Sequence, residues 1–144
     1  MLGVALLPVK VLVVIVRPRD GALLVSSEPG PDGFERPLGG GIELGESSVD
    51  AARRELREEL DVELEDLDLL GVLENRYELA GEAGHEIVFV YSARLADPAG
   101  YDWDERRILD HPADSPTRVR WRERHDTALP LVPVGLGALL PSSP

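Results

Sequence analysis

Apolar residues run almost unbroken through residues 9–16, a β-branched stretch that stops at Arg17-Pro18-Arg19-Asp20-Gly21. Such a run predicts a strand, and the turn residues after it predict a return strand over residues 22–26, the two forming a hairpin. Residues 27–33 (SEPGPDG with Phe34 following) read as loop, and residues 34–38 as extended chain, because Pro37 disfavours helix in the residue before it. The period then changes. Val49, Ala52, Leu56 and Leu60 recur at intervals of three, four and four, the stripe of a helix that starts near Ser47 or Ser48 as N-cap and ends near Asp61.

Two further strands are expected at residues 67–74 and 86–95, separated by a loop containing Gly81 and Gly84. Residues 87–91 (IVFVY) are apolar at every position, which suits the middle of a sheet. The polar, proline-broken stretch 96–116 is a long connection of the kind that carries function. Val119 and Trp121 alternate with arginines in a half-exposed strand over residues 118–122. A short apolar helix is expected at residues 134–140, and the tail Pro141-Ser142-Ser143-Pro144 frays. The expected architecture is α/β, a mixed sheet flanked by helices, with residues 1–144 forming a single domain.

Composition narrows the function. The chain of 144 residues is 43% apolar and 29% charged, as globular domains are, and it has no cysteine for a disulfide or a thiolate metal site. A net charge of −12 argues against a nucleic-acid backbone as the main partner. Lys10 is the single lysine among 15 cationic residues, so the rest are arginines, whose planar fork suits phosphate. The apolar start, residues 1–16, is interrupted by Pro8 and Lys10 and lacks both a basic leader region and a cleavage site. It is also too short to span a membrane, and the expected location is the cytoplasm.

The chemistry concentrates between Gly40 and Val62. Glu55, Glu58 and Glu59 are spaced by three and four, which places three carboxylates together on the helix. Two such charges roughly 5–6 Å apart repel by about 3 kcal/mol at an effective dielectric near 20. A divalent cation reverses the sign, so the cluster reads as a metal site. Hard oxygen donors point to Mg²⁺ or Mn²⁺, with coordination positions left for water and phosphate. The competing reading is a solvated face held by i,i+4 pairs such as Asp50–Arg54.

Gly40, Glu46, Arg54, Glu55, Leu56, Glu58, Glu59 and Val62 together resemble the signature of the Nudix hydrolases, G-x5-E-x7-R-E-U-x-E-E-x-G-U with U a bulky aliphatic residue. Asp61 stands where that signature has glycine, and Leu38 precedes the glycines where proline is commoner. The resemblance implies an α/β/α sandwich with a central mixed sheet, and a Mg²⁺-dependent pyrophosphohydrolase acting on a nucleoside diphosphate linked to another group. It further implies Glu55, Glu58 and Glu59 as metal ligands together with the Gly40 carbonyl. Arg54 then orients a glutamate, and one of the carboxylates assists as base. Gly39, Gly40 and Gly41 let the backbone approach a ligand closely. The expected partner is a small nucleotide, and a homodimer stays open because many relatives form one.

Other candidates stand with two readings each. Glu46 either joins the metal shell or brace of the loop, or favours the helix dipole as a first-turn residue. Arg36 grips a phosphate or is merely solvated. Glu86 is a further ligand or base, or a strand-end residue meeting solvent, the more common case. Phe34, Tyr77 and Trp103 are aromatic surfaces for a base or ordinary packing, with Trp103 best placed in a loop. Two other function classes compete: a nucleotide-binding sensor without turnover, motivated by Asp61, and an acidic interaction domain.

Overall fold

The computed structural model describes residues 6–141. Residues 1–5 of the apolar start and residues 142–144 of the tail lie outside the described residues. Eight strands form two four-stranded sheets around one α-helix. The first sheet has the order β4-β1-β6-β5, with β1 (Val9–Ile15) parallel to β6 (Glu82–Leu95). β4 (Leu38–Gly41) and β5 (Leu64–Leu79) pair antiparallel at its two edges, so the sheet is mixed. The second sheet is antiparallel throughout, with the order β3-β2-β8-β7, comprising β3 (Phe34–Arg36), β2 (Leu23–Glu28), β8 (Arg118–Arg122) and β7 (Glu105–Arg107).

The expected hairpin between the first two apolar runs is corrected. Only the bridge Val16↔Leu23 joins them, after which the strands diverge into different sheets. The physical reason lies in their composition. Val11 to Ile15 and Leu23 to Val25 are buried on both faces, so each run becomes an inner strand with two partners. The loop expected around Gly81 and Gly84 shrinks to Ala80-Gly81, both at positive φ (52° and 81°), the backbone of a tight two-residue hairpin. The polar residues on either side continue the strands as an exposed ribbon. The helix expected at residues 134–140 is one 3₁₀ turn, Leu136–Ala138.

The helix α1 (Ser48–Leu60) matches the expected bounds. The Ser47 side chain accepts from the Asp50 N–H at 3.0 Å. Asp61 closes the helix in the left-handed conformation (φ 55°, ψ 46°), donating its N–H to the Arg57 carbonyl at 3.0 Å. Asp61 thus does at that position what glycine does more cheaply. Ala51, Ala52, Leu56 and Leu60 pack on Val11, Val13 and Ile15, and Ser48 Oγ meets the Tyr91 hydroxyl at 2.6 Å. The opposite face of the mixed sheet, with Leu12, Val14, Val88 and Val90, is covered by Leu136. The sheet therefore lies between α1 and the C-terminal 3₁₀ turn. Among the described residues, no helix is long and apolar enough to cross a membrane.

Candidate active site

β4 brings the glycines against α1. A Cβ on Gly40 would lie 2.5 Å from Glu55 Oε1, and one on Gly39 (φ 153°) would lie 1.9 Å from the Val11 carbonyl oxygen. Neither position accepts a side chain without displacing strand or helix, so these glycines set the distance between β4 and the helix carboxylates. Gly41 is exposed, and its carbonyl accepts from Arg54 Nη2 at 2.8 Å.

Arg54 is the hub of the acidic face. Its Nε and Nη2 grip both oxygens of Glu46 at 2.8 and 2.9 Å. Nη1 reaches Glu55 Oε1 at 3.0 Å and Glu58 Oε2 at 3.3 Å. Glu46 also accepts from the Glu43 N–H at 3.1 Å, so it braces the glycine loop and is not a first-turn residue of the helix. The Arg54 bond, helped by that backbone N–H, holds the Glu46 carboxyl down to about 2. An alternative Arg54–Asp50 ion pair is not formed. Asp50 instead donates its backbone N–H to the cap.

The three helix glutamates do not share one environment. Glu58 is exposed, Glu55 half-buried, and Glu59 only 5% exposed, beneath the helix in a cavity of about 160 Å³. Glu59 Oε1 has no hydrogen-bond partner among the described residues. Burial, then the nearby Glu55 charge, pushes the Glu59 carboxyl up to about 9, against a pull downward from Arg36. Arg36, Gly39, Glu55 and Phe34 line the same cavity. Arg36 forms no ion pair within 4 Å among the described residues, which leaves its guanidinium available to an anion.

Asp110 was missed from the sequence. Carboxylate oxygens of Glu55, Glu58 and Asp110 lie within 4.8 Å of one another. Asp110 reaches them because the long 96–116 connection docks on the helix end: Ile108 is buried, and the Leu109 N–H donates to the Glu59 carbonyl at 2.9 Å. The available signal was Ile108-Leu109, an apolar pair inside an otherwise polar stretch. His111 and Thr117 also line the cavity.

Trp103 is not brought to this site. Its ring packs 5.5 Å from Trp121 and under Arg106, at the margin of the main core, because the loop it sits in closes over that core. Glu86 is neither a ligand here nor at a solvent-facing strand end. It is 7% exposed and paired with Lys10 at 2.9 Å and Asn75 at 3.0 Å. Strand β6 starts earlier than expected, which moves Glu86 into its interior.

The donor set fits a hard divalent cation. Three carboxylates converge on one point, and a fourth, buried, has an orphan oxygen beside them. Without a cation, crowding of this kind costs about 3 kcal/mol per pair at an effective dielectric near 20. A pH consequence follows for the metal-free protein. Glu59 is raised from 4.5 to about 9, so the folded state holds a proton that the unfolded chain has lost. The Glu59 contribution to stability is therefore full below pH 4.5 and falls as pH rises toward 9, by up to about 1.4 kcal/mol per unit. Thermal melts in chelator should show this slope, and Glu59→Gln should flatten it. Equal slopes in both proteins would contradict the assignment.

Comparison with known proteins agrees with this geometry. The NUDIX domain model matches residues 6–131. A MutT NUDIX hydrolase from Burkholderia pseudomallei is 25% identical, with 94% of this chain and 97% of that chain covered and a TM-score of 0.67. A NUDIX hydrolase from Nitrosomonas europaea is 22% identical (92% and 86% covered, TM-score 0.64), and a mutator MutT protein from Bacillus halodurans is 18% identical (92% and 80%, TM-score 0.63). The last two show the fold. Curated protein sequences gave no match. With its family model spanning most of the chain and its glycine strand set against the acidic helix, the chain belongs to the NUDIX domain family of hydrolases.

Proposed function

We propose that the protein is a Mg²⁺- or Mn²⁺-dependent pyrophosphohydrolase that cleaves a diphosphate bond in a nucleoside diphosphate derivative by attack of water on phosphorus. The convergence of Glu55, Glu58 and Asp110 oxygens within 4.8 Å, beside the buried Glu59, carries this reading. These four residues would hold the cation. Bound there, it would neutralise charge on the phosphoryl oxygens and acidify a coordinated water.

The chain's own groups supply the rest. Arg36, free of ion pairs at the cavity wall, meets the substrate's phosphate. Arg54 is fully engaged by Glu46, Glu55, Glu58 and the Gly41 carbonyl, so it acts as a positioning residue that fixes two carboxylates. Gly40 keeps a side chain out of the space beside Glu55, and Gly39 lets β4 lie close against β1. Residues 1–144 work as one domain, in the cytoplasm, on a small nucleotide and not on a nucleic-acid chain, in keeping with the net charge of −12.

The sensor alternative rested on Asp61. The left-handed φ of 55° lets Asp61 end the helix at the same residue a glycine would, so the acidic face is not displaced on that account. The deciding experiment is a panel of sugar nucleotides, dinucleoside polyphosphates, ADP-ribose and nucleoside triphosphates with Mg²⁺ or Mn²⁺, the products weighed after reaction in ¹⁸O water. Release of a nucleoside monophosphate or inorganic phosphate or pyrophosphate, with one ¹⁸O on the attacked phosphorus, is expected from at least one member. Intact nucleotides throughout would overturn the proposal.

A further inference from the structure

A second, larger cavity of about 550 Å³ opens on the other side of Arg36 and Phe34, which line both spaces. Its floor is a polar row laid across three strands of the mixed sheet. Asn75 of β5 is paired in register with Glu86 of β6, and Lys10 of β1 lies opposite Val88, two residues further along the same face. Lys10 Nζ sits 2.9 Å from Glu86 Oε2, and Asn75 Nδ2 donates to Glu86 Oε1 at 3.0 Å. This row ends the apolar face made by Leu12, Val14, Val88 and Val90, so the chain carries a charged pair where that core layer opens. Charged groups so placed need pairing and hydrogen bonds, which Lys10 and Asn75 give Glu86, and the row still faces the cavity with donors and acceptors to spare.

An aromatic wall stands over the row. Tyr77 pairs in register with Gly84, and a Cβ on Gly84 would lie 2.2 Å from the Tyr77 ring. The ring therefore lies across the glycine, held against the ribbon and bordering the cavity. Phe34 borders it from β3. A flat heterocycle attached to the phosphates that Arg36 meets would enter between such surfaces.

We propose that this cavity takes the base of the substrate, and that Lys10, Asn75 and Glu86 are specificity-determining residues that favour a 2-amino-6-oxopurine edge. The inference rests on the nucleotide-hydrolase reading of the adjoining cavity. Each oxygen of Glu86 already accepts one bond and keeps a second lone pair, so the carboxylate takes two adjacent N–H groups. Guanine offers N1–H and N2–H side by side. Its O6 accepts from the remaining N–H groups of Lys10. Hypoxanthine lacks the 2-amino donor and satisfies only part of the array. Adenine presents an unprotonated N1 where guanine has a donor, and no carbonyl.

The test is equilibrium binding of GMP, IMP and AMP by calorimetry, which needs no turnover and so stands apart from the hydrolysis panel. GMP should bind at least about tenfold more tightly than AMP, with IMP between, a ratio in the range of one well-formed bidentate contact. Glu86→Gln should bring the three within about twofold, and Tyr77→Ala should weaken all three while keeping their order. Should Glu86→Gln fail to fold, Asn75→Ala, which frees one Glu86 oxygen, should narrow the GMP preference. Equal affinities for the three in the wild-type protein, no binding of any, or a preference untouched by these substitutions would overturn the inference. Hydrolysis without base discrimination would overturn it while leaving the hydrolase reading intact.

Discussion

Glu58→Gln should lower kcat/KM for the hydrolysed nucleotide by at least about 10²-fold, and by as much as about 10³-fold, with the melting temperature of the metal-free protein unchanged or raised. Glu58 would help hold the cation that neutralises the developing charge, and losses of that size follow damage to one part of such an electrostatic site. The amide keeps the shape of the side chain and deletes its charge. Glu58 is half open to solvent, with 47% of its side chain exposed, so the substitution opens no cavity in the core. Among the described residues its one side-chain partner is Arg54 Nη1 at 3.3 Å, and Arg54 keeps Glu46, Glu55 and the Gly41 carbonyl. Relief of repulsion from Glu55 and Asp110 offsets that one lost contact. Steady-state kinetics with Mg²⁺, together with thermal melts in chelator and in Mg²⁺, check both halves. The stabilisation by Mg²⁺ should shrink in the variant, because one ligand of the cation is gone. Wild-type turnover would remove Glu58 from the site. A large drop in the chelator melt would mean that it serves the fold instead.

How much of this was legible beforehand depends on the range of the interactions. The helix was readable to within a residue, because its signals are local: Ser47 or Ser48 at one end, the three-four-four apolar spacing, and Asp61 at the other. Strand β6 was readable as an inner strand from its continuous apolar run. The pairing of β1 and β2 was not. The turn at residues 17–21 favours a hairpin locally, yet two strands buried on both faces each need two neighbours, and those come from distant segments. The site divided along the same line. Helical spacing placed the glutamates on one face, and the resemblance carried by the same contiguous stretch added Arg54 and the glycines. Spacing could not show that Glu59 points inward while Glu58 points out, a difference set by the crossing of α1 over the sheet. Asp110 comes from a connection anchored by one buried side chain, Ile108, and one backbone hydrogen bond to the helix end, and no periodicity marks it. Trp103 failed for the opposite reason. A tryptophan in a loop suggested a ligand surface, but the second sheet offered Trp121 as a partner.

Glu35→Ala should cost about 3–5 kcal/mol of stability, the largest structural effect expected of a single substitution in this chain. Glu35 is fully buried, at 0% exposure, and sits in β3 one residue before Arg36. Both of its oxygens accept from Arg120, and Oε1 also accepts from Arg122 Nη1 at 2.8 Å. Burial alone would raise its pKa, but hydrogen bonds from Arg120, Ser27 and Arg122 outweigh it and hold the carboxyl below the usual range. The charge is thus present in the fold, and removing it strands Arg122, which is itself buried. The backbone bonds at this position persist in the alanine variant, so the cost falls on the side-chain network. The Glu35 N–H donates to the Pro130 carbonyl and the Glu35 carbonyl accepts from Val132, both at 2.9 Å, so this residue ties β3 to β8 and to the segment that walls the larger cavity. Against a typical total of about 5–15 kcal/mol, the loss should lower the melting temperature by roughly 10 °C or more. Glu35→Gln, which keeps the shape and one acceptor, should lose less. The sign with pH also follows: stability from Glu35 is present above the unfolded value of 4.5 and is lost as acid protonates the folded carboxyl. Melts of the wild type and Glu35→Ala should therefore converge as the pH falls. A difference that stays constant through the acid range would show that packing volume, and not the charge held between two arginines, is what Glu35 contributes.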